Sequence, residues 1–386
     1  MIKDERRRQK VLLLDSGDLF FMPEGSRLGD KDYQQKKASF IAKAYREMGY
    51  DAVNVGDMDL SHGVDFLLEI SRRNRLLLIS SNILWKDTGK PVFKPYLIKK
   101  LGKLKVGIFG IIMKDVHTDR RITTRDPIES ATEMVQFFKD KVDIVVALTH
   151  QGLENDKVLA QKVDGIDLII GGHSMEGLRE PLRVKNTLIL QASKQGKYMG
   201  RVLIDSSAIK RGSGISGAKI SSTLIPIEMS IPEDISMLKL LQDFKKSTEI
   251  SRISKEDIPV QPQFVSYRIC GKCHNHELQL QMKKRHIFAY ETLKKAKEEN
   301  NRECVRCHTT GYGLPGGFGS RRDSSVLEGV QCESCHGAGL FHSNNPGVFK
   351  LKRNVPEIVC RQCHTTEQDP DFTYERDLKG VSCSGH

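Results

Sequence analysis

The 386-residue chain is long enough for two or three domains, and its 38% hydrophobic content is low for one large core. No apolar run approaches the roughly 18 residues that would read as a membrane-spanning helix. The formal net charge of +12 sits on scattered RRR, KK and RR groups rather than a stripe, which argues against nucleic acid as a partner. All nine cysteines lie beyond residue 269, and this compositional step predicts a domain boundary.

In chain order, VLLLDSGD (11–18) reads as a buried strand ending in Gly-Asp. Residues 33–48 have helical spacing, with Phe40, Ile41, Ala44 and Met48 on one face. AVNVGD (52–57) is a second strand ending in Gly-Asp. A helix over 63–73, a strand at 76–82, a hairpin-like stretch and the strand 105–112 follow. Helix 127–140 leads into DIVVALTHQG (143–152), a strand ending at His150. Helix 154–163 leads into DLIIGGH (167–173), a strand ending at His173. Strands at 187–193 and 200–206 close the segment. This alternation predicts an α/β domain with buried sheets over 1–206. Residues 207–262 read as a helical linker region. KRGSGISGAK is loop-like, 234–250 is an amphipathic helix with Leu238, Leu241 and Phe244 on its apolar face, and Pro259 and Pro262 mark the exit.

Residues 263–386 hold four C-x-x-C-H motifs: Cys270, Cys273 and His274; Cys304, Cys307 and His308; Cys332, Cys335 and His336; Cys360, Cys363 and His364. In this motif the two thiols bond the haem vinyl groups and the histidine ligates iron. One chance match has an expectation on the order of 0.01, so four are not accidental. Zinc is the alternative for paired C-x-x-C units, but it does not require a histidine after every second cysteine. Four covalent haems c and redox partner proteins are therefore expected, in a mainly α or irregular domain. The remaining histidines, His276, His286, His342 and His386, are the candidates for distal axial ligands. His276 is also readable as a loop histidine, and the ninth cysteine, Cys383, as a free thiol.

RHIFAYETL (285–293), CVRCHTTG (304–311), GVQCESCHGAGLFH (329–342) and VCRQCHTTEQDPDFTY (359–374) carry a resemblance. From about residue 266 the chain resembles the tetrahaem c-type cytochromes that accept electrons during hydroxylamine oxidation. The resemblance implies that His286, His342 and His386 are distal ligands, some of them to a haem other than that of the nearest motif. It also implies one five-coordinate haem.

In the α/β part, Asp18, Asp57, His150 and His173 stand at the ends of four strands. Strand ends on one edge of such a fold converge, and Asp with His suits a hydrolytic Zn, Mn or Fe ion. LLLDSGDLF, YDAVNVGDMDLSHGVDFL, SSNI, LTHQGLENDKVLAQKVDGIDLIIGGHSM and LQASKQGKYMGRV follow the block order of another family. Residues 11–205 resemble the catalytic domain of the periplasmic 5'-nucleotidase and UDP-sugar hydrolase family of calcineurin-like metallophosphoesterases. The resemblance implies a two-sheet sandwich flanked by helices, a bridging role for Asp18, and a nucleotide or other phosphorylated small molecule as ligand. Asp57 stands where the family has Asn in G-N-H-[ED], Met58 where its catalytic His follows, and Met175 where a further ligand is offered. The family's opening D-x-H pair is not in this sequence. His62 could replace the missing His but also reads as an ordinary helix-start residue. One metal position with four ligands and altered hydrolysis are therefore expected, with an active phosphoesterase or sulfur-substrate hydrolase as the alternative. The charged start MIKDERRRQK lacks the apolar stretch of an export signal. Haem attachment follows export, so a signal upstream of Met1 and a periplasmic or other extracytoplasmic location are expected.

Overall fold

The computed structural model describes residues 1–21, 31–116, 119–174, 177–194, 196–209, 214–228, 230–248, 263–320, 323–366 and 368–382. Met175, Pro259, Pro262, Cys383 and His386 lie outside the described residues. The chain divides into two compact units, Met1–Pro23 with Lys37–Leu241, and Glu24–Lys36 with Gln242–His386.

The elements before residue 230 are α1 (Ile2–Arg8), β1 (Leu14–Asp15), α2 (Lys31–Met48), β2 (Ala52–Asn54), α3 (Val64–Asn74), β3 (Leu78–Ile79), β4 (Ile83–Trp85), β5 (Tyr96–Leu101), β6 (Leu104–Ile112), β7 (Ile122–Thr124), α4 (Pro127–Phe138), β8 (Ile144–His150), α5 (Leu153–Lys162), β9 (Leu168–Gly172), β10 (Leu182–Val184), β11 (Thr187–Leu190), β12 (Tyr198–Ile204) and β13 (Ile220–Pro226). One sheet has the order β1-β2-β3, all parallel. The other has the order β10-β11-β9-β8-β6-β5, parallel through β11, β9, β8 and β6 with an antiparallel strand at each edge. Ala52 and Ile79 of the first sheet share one buried cluster with Val106, Ile108, Val146 and Leu148 of the second. At Gly110 the layers meet so closely that a Cβ would lie 2.3 Å from Asn54 Oδ1 and 2.7 Å from the Ile79 carbonyl. Helices cover the other faces. α4 starts at Pro127 because the Asp126 side chain accepts the Ile128 and Glu129 N–H groups, and its Phe138 ring fills the space left by Gly107. The result is the expected two-sheet sandwich flanked by helices.

Three local expectations change. The buried residues of α2 are Tyr33, Ala38 and Ala42, with Ile41 and Tyr45 packed in the same cluster as the alanines, not the Phe40, Ala44 and Met48 face. Small side chains let this helix lie close to the core, while the Tyr45 hydroxyl donates to Asp15 Oδ2 at 2.9 Å. The strand read over 76–82 reduces to Leu78–Ile79. The stretch beyond residue 206, read as linker, contains β13, which pairs with β12 from Ile204–Ile220 to Tyr198–Pro226. The first unit therefore continues to Leu241.

Helix α6 (Ile235–Thr248) follows. The remaining elements are α7 (Tyr267–Cys270), α8 (Asn275–Gln281), α9 (Ala289–Ala296), α10 (Arg302–His308), α11 (Cys332–His336), α12 (Leu340–Asn344), α13 (Glu357–Cys360) and α14 (Tyr374–Val381). This region is mainly helical, in short pieces. Among the described residues its buried cluster is Phe264, Tyr290, Leu293, Val305, Phe318 and Leu327. Phe288, Phe341, Val348, Phe349 and Ile358 are exposed.

Candidate functional site

β1 and β2 are parallel neighbours, as are β8 and β9, so their C-terminal ends deliver loops to one edge of each sheet. Asp18 follows β1, Asp57 follows β2, His150 ends β8 and His173 follows β9. One ligand atom from each of the four lies within 4.8 Å of all the others. His150 Nε2 is 3.0 Å from Asp18 Oδ2 and 3.2 Å from Asp57 Oδ1, and His173 Nδ1 is 3.4 Å from Asp57 Oδ1. His150 is almost wholly buried, and its Nδ1 lies 3.0 Å from the Ser16 carbonyl, which leaves Nε2 aimed at the carboxylates.

His150 Nε2 and Asp57 Oδ1 are buried without a well-formed hydrogen bond. Such a cluster of inward lone pairs is costly unless a cation or proton sits among them. Burial pulls the His150 pKa down, but Asp18 and Asp57 together outweigh it and push it up to about 10. Burial raises Asp57, and its contact with His150 reverses this to leave it below the usual carboxylate range. Two carboxylates and two imidazoles fit one divalent ion, with the carboxylate charges neutralising it.

Sequence reasoning missed the residue that holds this loop pair together. Asp59, 2% exposed, accepts the N–H groups of Asp18 (2.9 Å), Phe20 (3.0 Å) and Gly56 (3.0 Å). Burial, then repulsion from Asp18, pushes its pKa up to about 7. Asp18 is left-handed (φ +56°), and its Oδ1 accepts the Met58 N–H at 2.8 Å. Gly56 is required here, because a Cβ would fall 2.2 Å from Asp18 Oδ1. The only prior signal was the Gly-Asp-x-Asp order at 56–59. Also missed was the buried network under the two histidines. Gln151 Nε2 donates to Asp156 Oδ1 at 3.0 Å, and Ser174 Oγ donates to Gln191 Oε1 at 2.9 Å. His62 instead stacks on Phe21, with ring centroids 4.0 Å apart.

In the second unit the motif cysteines and histidines lie on or next to α7, α10, α11 and α13. His274 faces His342 with ring centroids 6.2 Å apart and planes 27° from parallel, and His286 faces His364 at 5.9 Å. Four imidazoles have Nδ1 tied to an oxygen: His308 to the Ala289 carbonyl (2.8 Å), His336 to that of Lys352 (2.5 Å), His342 to that of Phe349 (2.7 Å) and His364 to Asp369 Oδ2 (2.7 Å). Such a bond fixes the tautomer and leaves Nε2 as the ligating atom. Burial, then the adjacent His364, lowers the His286 pKa and favours its neutral form. The Cys270 and Cys332 thiols are neighbours, as are those of Cys307 and Cys363, so each pair brings two motifs together. Among the described residues the Asp18 cluster is the one group of three or more His, Cys, Asp and Glu whose ligand atoms converge, so these thiols form no closed zinc-type set. His276 lies exposed on α8, outside both imidazole pairs.

Residues 2–177 match the family described as calcineurin-like phosphoesterase, and residues 269–337 match that of cytochrome c554 and c-prime. The 5'-nucleotidase of Homo sapiens is 27% identical over 64% of this chain and 47% of its own length. The 5'-nucleotidase of Vibrio cholerae is 26% identical over 63% of the chain and 51% of its own length. The chain thus spans about half the length of these curated relatives. Among solved structures, the sulfate thiohydrolase SoxB of Thermus thermophilus superposes with a TM-score of 0.56 at 23% identity, over 69% of this chain and 47% of that one. A 5'-nucleotidase precursor of Thermus thermophilus gives 0.54 at 21% identity, over 77% of this chain and 61% of that one. The structural likenesses speak for the fold. The chain therefore carries a calcineurin-like metallophosphoesterase domain with 5'-nucleotidase relatives, followed by a segment, residues 269–337, that matches the cytochrome c554 and c-prime family.

Proposed function

We propose that this is an extracytoplasmic four-haem electron-transfer protein whose metallophosphoesterase domain holds one divalent cation and has altered phosphoester chemistry. The observation that carries the redox reading is the pairing of imidazoles across motifs. Ring separations of 6.2 and 5.9 Å leave room for one iron between each pair, given nitrogen–metal bonds of about 2 Å. On this reading His342 is the distal ligand of the first motif's haem and His286 that of the fourth. Bound haem iron supplies one-electron transfer. The eight motif cysteines hold the porphyrins, the Nδ1 contacts orient the ligating nitrogens, and the exposed apolar side chains around the motifs lie ready to cover porphyrin faces. With His386 as a third distal ligand, one haem lacks a matched sixth ligand. About eight propionates would offset most of the +12 charge. The partners on this reading are other redox proteins.

In the first unit Asp18, Asp57, His150 and His173 would hold the cation, which when bound polarises a phosphoryl oxygen. Met58 bears a thioether where the family resemblance expects an imidazole. It cannot donate a proton, so transition-state charge on that side goes unmet. The second reading, an active nucleotidase or sulfur-substrate hydrolase, is favoured by the convergence of all four ligands. Mass spectrometry and an assay separate the two. The exported protein is expected to gain the mass of four haems and to turn over nucleoside monophosphates at least about 10²-fold more slowly than intact relatives, with Mn or Zn supplied. Stoichiometric zinc without haem absorption would overturn the redox reading. Fast turnover would establish the hydrolase.

A further inference from the structure

Glu333 lies between the two cysteines of the third motif and is 3% exposed. A buried carboxylate without partners costs several kcal/mol, so its surroundings must satisfy it. They do so with backbone donors alone: no ion pair to Glu333 occurs among the described residues. The Val265 N–H reaches both oxygens (2.9 and 3.1 Å), the Ser266 N–H reaches Oε2 (2.8 Å), and the Gly339 N–H reaches Oε1 (2.7 Å). These donors come from two different places. Val265 and Ser266 lead directly into α7, which carries Cys270 and ends four residues before His274. Gly339 leads directly into α12, which carries His342. Gln331 adds a parallel tie, its Oε1 accepting the Tyr267 N–H at 2.9 Å. Ser266 has a positive φ (φ +78°, ψ 154°), a backbone region that L side chains rarely adopt, and its bond to Glu333 helps to hold it there. The approach at Gly339 is close: a Cβ there would lie 3.1 Å from Glu333 Oε1.

We infer that Glu333 is a positioning residue for the first haem: through these three N–H donors it fixes α12 against the start of α7, so that His342 faces His274. The inference rests on the haem reading above. It assigns the third motif two tasks, holding its own haem and delivering the distal ligand of another.

The test uses the full-length, haem-loaded protein and its Glu333→Gln, Glu333→Asp and His342→Ala variants. Covalent haem is counted by mass, and spin state is read by electron paramagnetic resonance. The amide of Glu333→Gln turns one acceptor into a donor that faces an N–H group. The distal bond is expected to weaken about 10- to 100-fold, as when a ligand loses an outer-shell partner. A further high-spin haem, beyond the one already expected in the wild type, should appear with four haems still attached. His342→Ala should produce the same signal, and the double variant no more than His342→Ala alone. Glu333→Asp keeps the charge but shortens the arm, so it should give a smaller high-spin fraction. Fully low-spin iron at the affected haem in Glu333→Gln would overturn the assignment. If that variant does not accumulate, Glu333→Asp decides in the same way: a new high-spin fraction upholds the role, and an unchanged spectrum rejects it. Fewer than four haems in the wild type, or an unchanged spectrum in His342→Ala, would instead bring down the underlying haem reading.

Discussion

Asp59 touches no candidate ligand atom, yet Asp18 depends on it. The left-handed backbone at Asp18 costs roughly 1–2 kcal/mol, and the Asp59 carboxylate holds it by taking the Asp18, Phe20 and Gly56 N–H groups together. Asp59→Asn keeps the volume but sets an amide donor against backbone donors. Affinity for Mn²⁺, titrated calorimetrically after chelation, should fall about 10- to 100-fold while the circular dichroism stays native. Unchanged affinity would mean the loop holds itself. Met58 makes the complementary case. Its N–H donates to Asp18 Oδ1, so its backbone already stands beside the ligands. Met58→His supplies a proton donor there, and hydrolysis of p-nitrophenyl phosphate should rise about 10²-fold, the size of a restored transition-state donor. A flat rate would locate the defect elsewhere in the site.

At the level of elements, the start of α5 carries a titration. Asp156 is in its first turn and wholly buried, and burial pushes its pKa up to about 6 despite hydrogen bonds from Gln151 and Gln191. Unfolded, an Asp titrates near 3.9. Between about pH 4 and about pH 6 the folded chain therefore binds more protons than the unfolded one. The Asp156 contribution to stability should fall as pH rises through that window, by at most about 1.4 kcal/mol per pH unit, and Asp59, raised to about 7, adds to the slope. Thermal melts with chelator present should show a shallower slope in Asp156→Asn than in the wild type; parallel curves would contradict it. The strands that end at His150 and near His173 were readable because strands buried on both faces spell continuous apolar runs. The two Gly-Asp ends were readable because each closes a short apolar run, half-buried at β1 and wholly buried at β2. Asp59, Asp156 and Glu333 were not, because each is defined by what it meets. Glu333 meets Val265, 68 positions away, and Asp59 meets Asp18, 41 away. The buried face of α2 was misplaced because two alanines, weak in any hydrophobic pattern, mark the close approach. β13 escaped notice because its pairing with β12 leaves its side chains only partly buried or exposed.

Across the whole chain, the two units differ in what fills them. The first has three buried clusters that hold its sheets and helices without any cofactor. Among its described residues the second has one cluster of six, and large apolar side chains such as Phe341, Val348 and Ile358 stay exposed. Small cores stabilise poorly unless a staple or cofactor adds buried area, at about 25 cal/mol per Å² of apolar surface. Attached porphyrins would add that area where the side chains lack it. Two forms of the protein follow from this difference, one exported with haem attachment and one made without it. On exposure to trypsin, the form without haem should be cut first within residues 263–381, while Lys37–Leu241 persists as a resistant fragment. Removing divalent metal from the haem-loaded form should have the opposite bias, loosening the loops around Asp18 and Asp57 and sparing the second unit. Fragments can be identified by mass, and the order of cleavage reads the local stability directly. Equal resistance of residues 263–381 with and without haem would mean that this unit is held by its six-residue core alone.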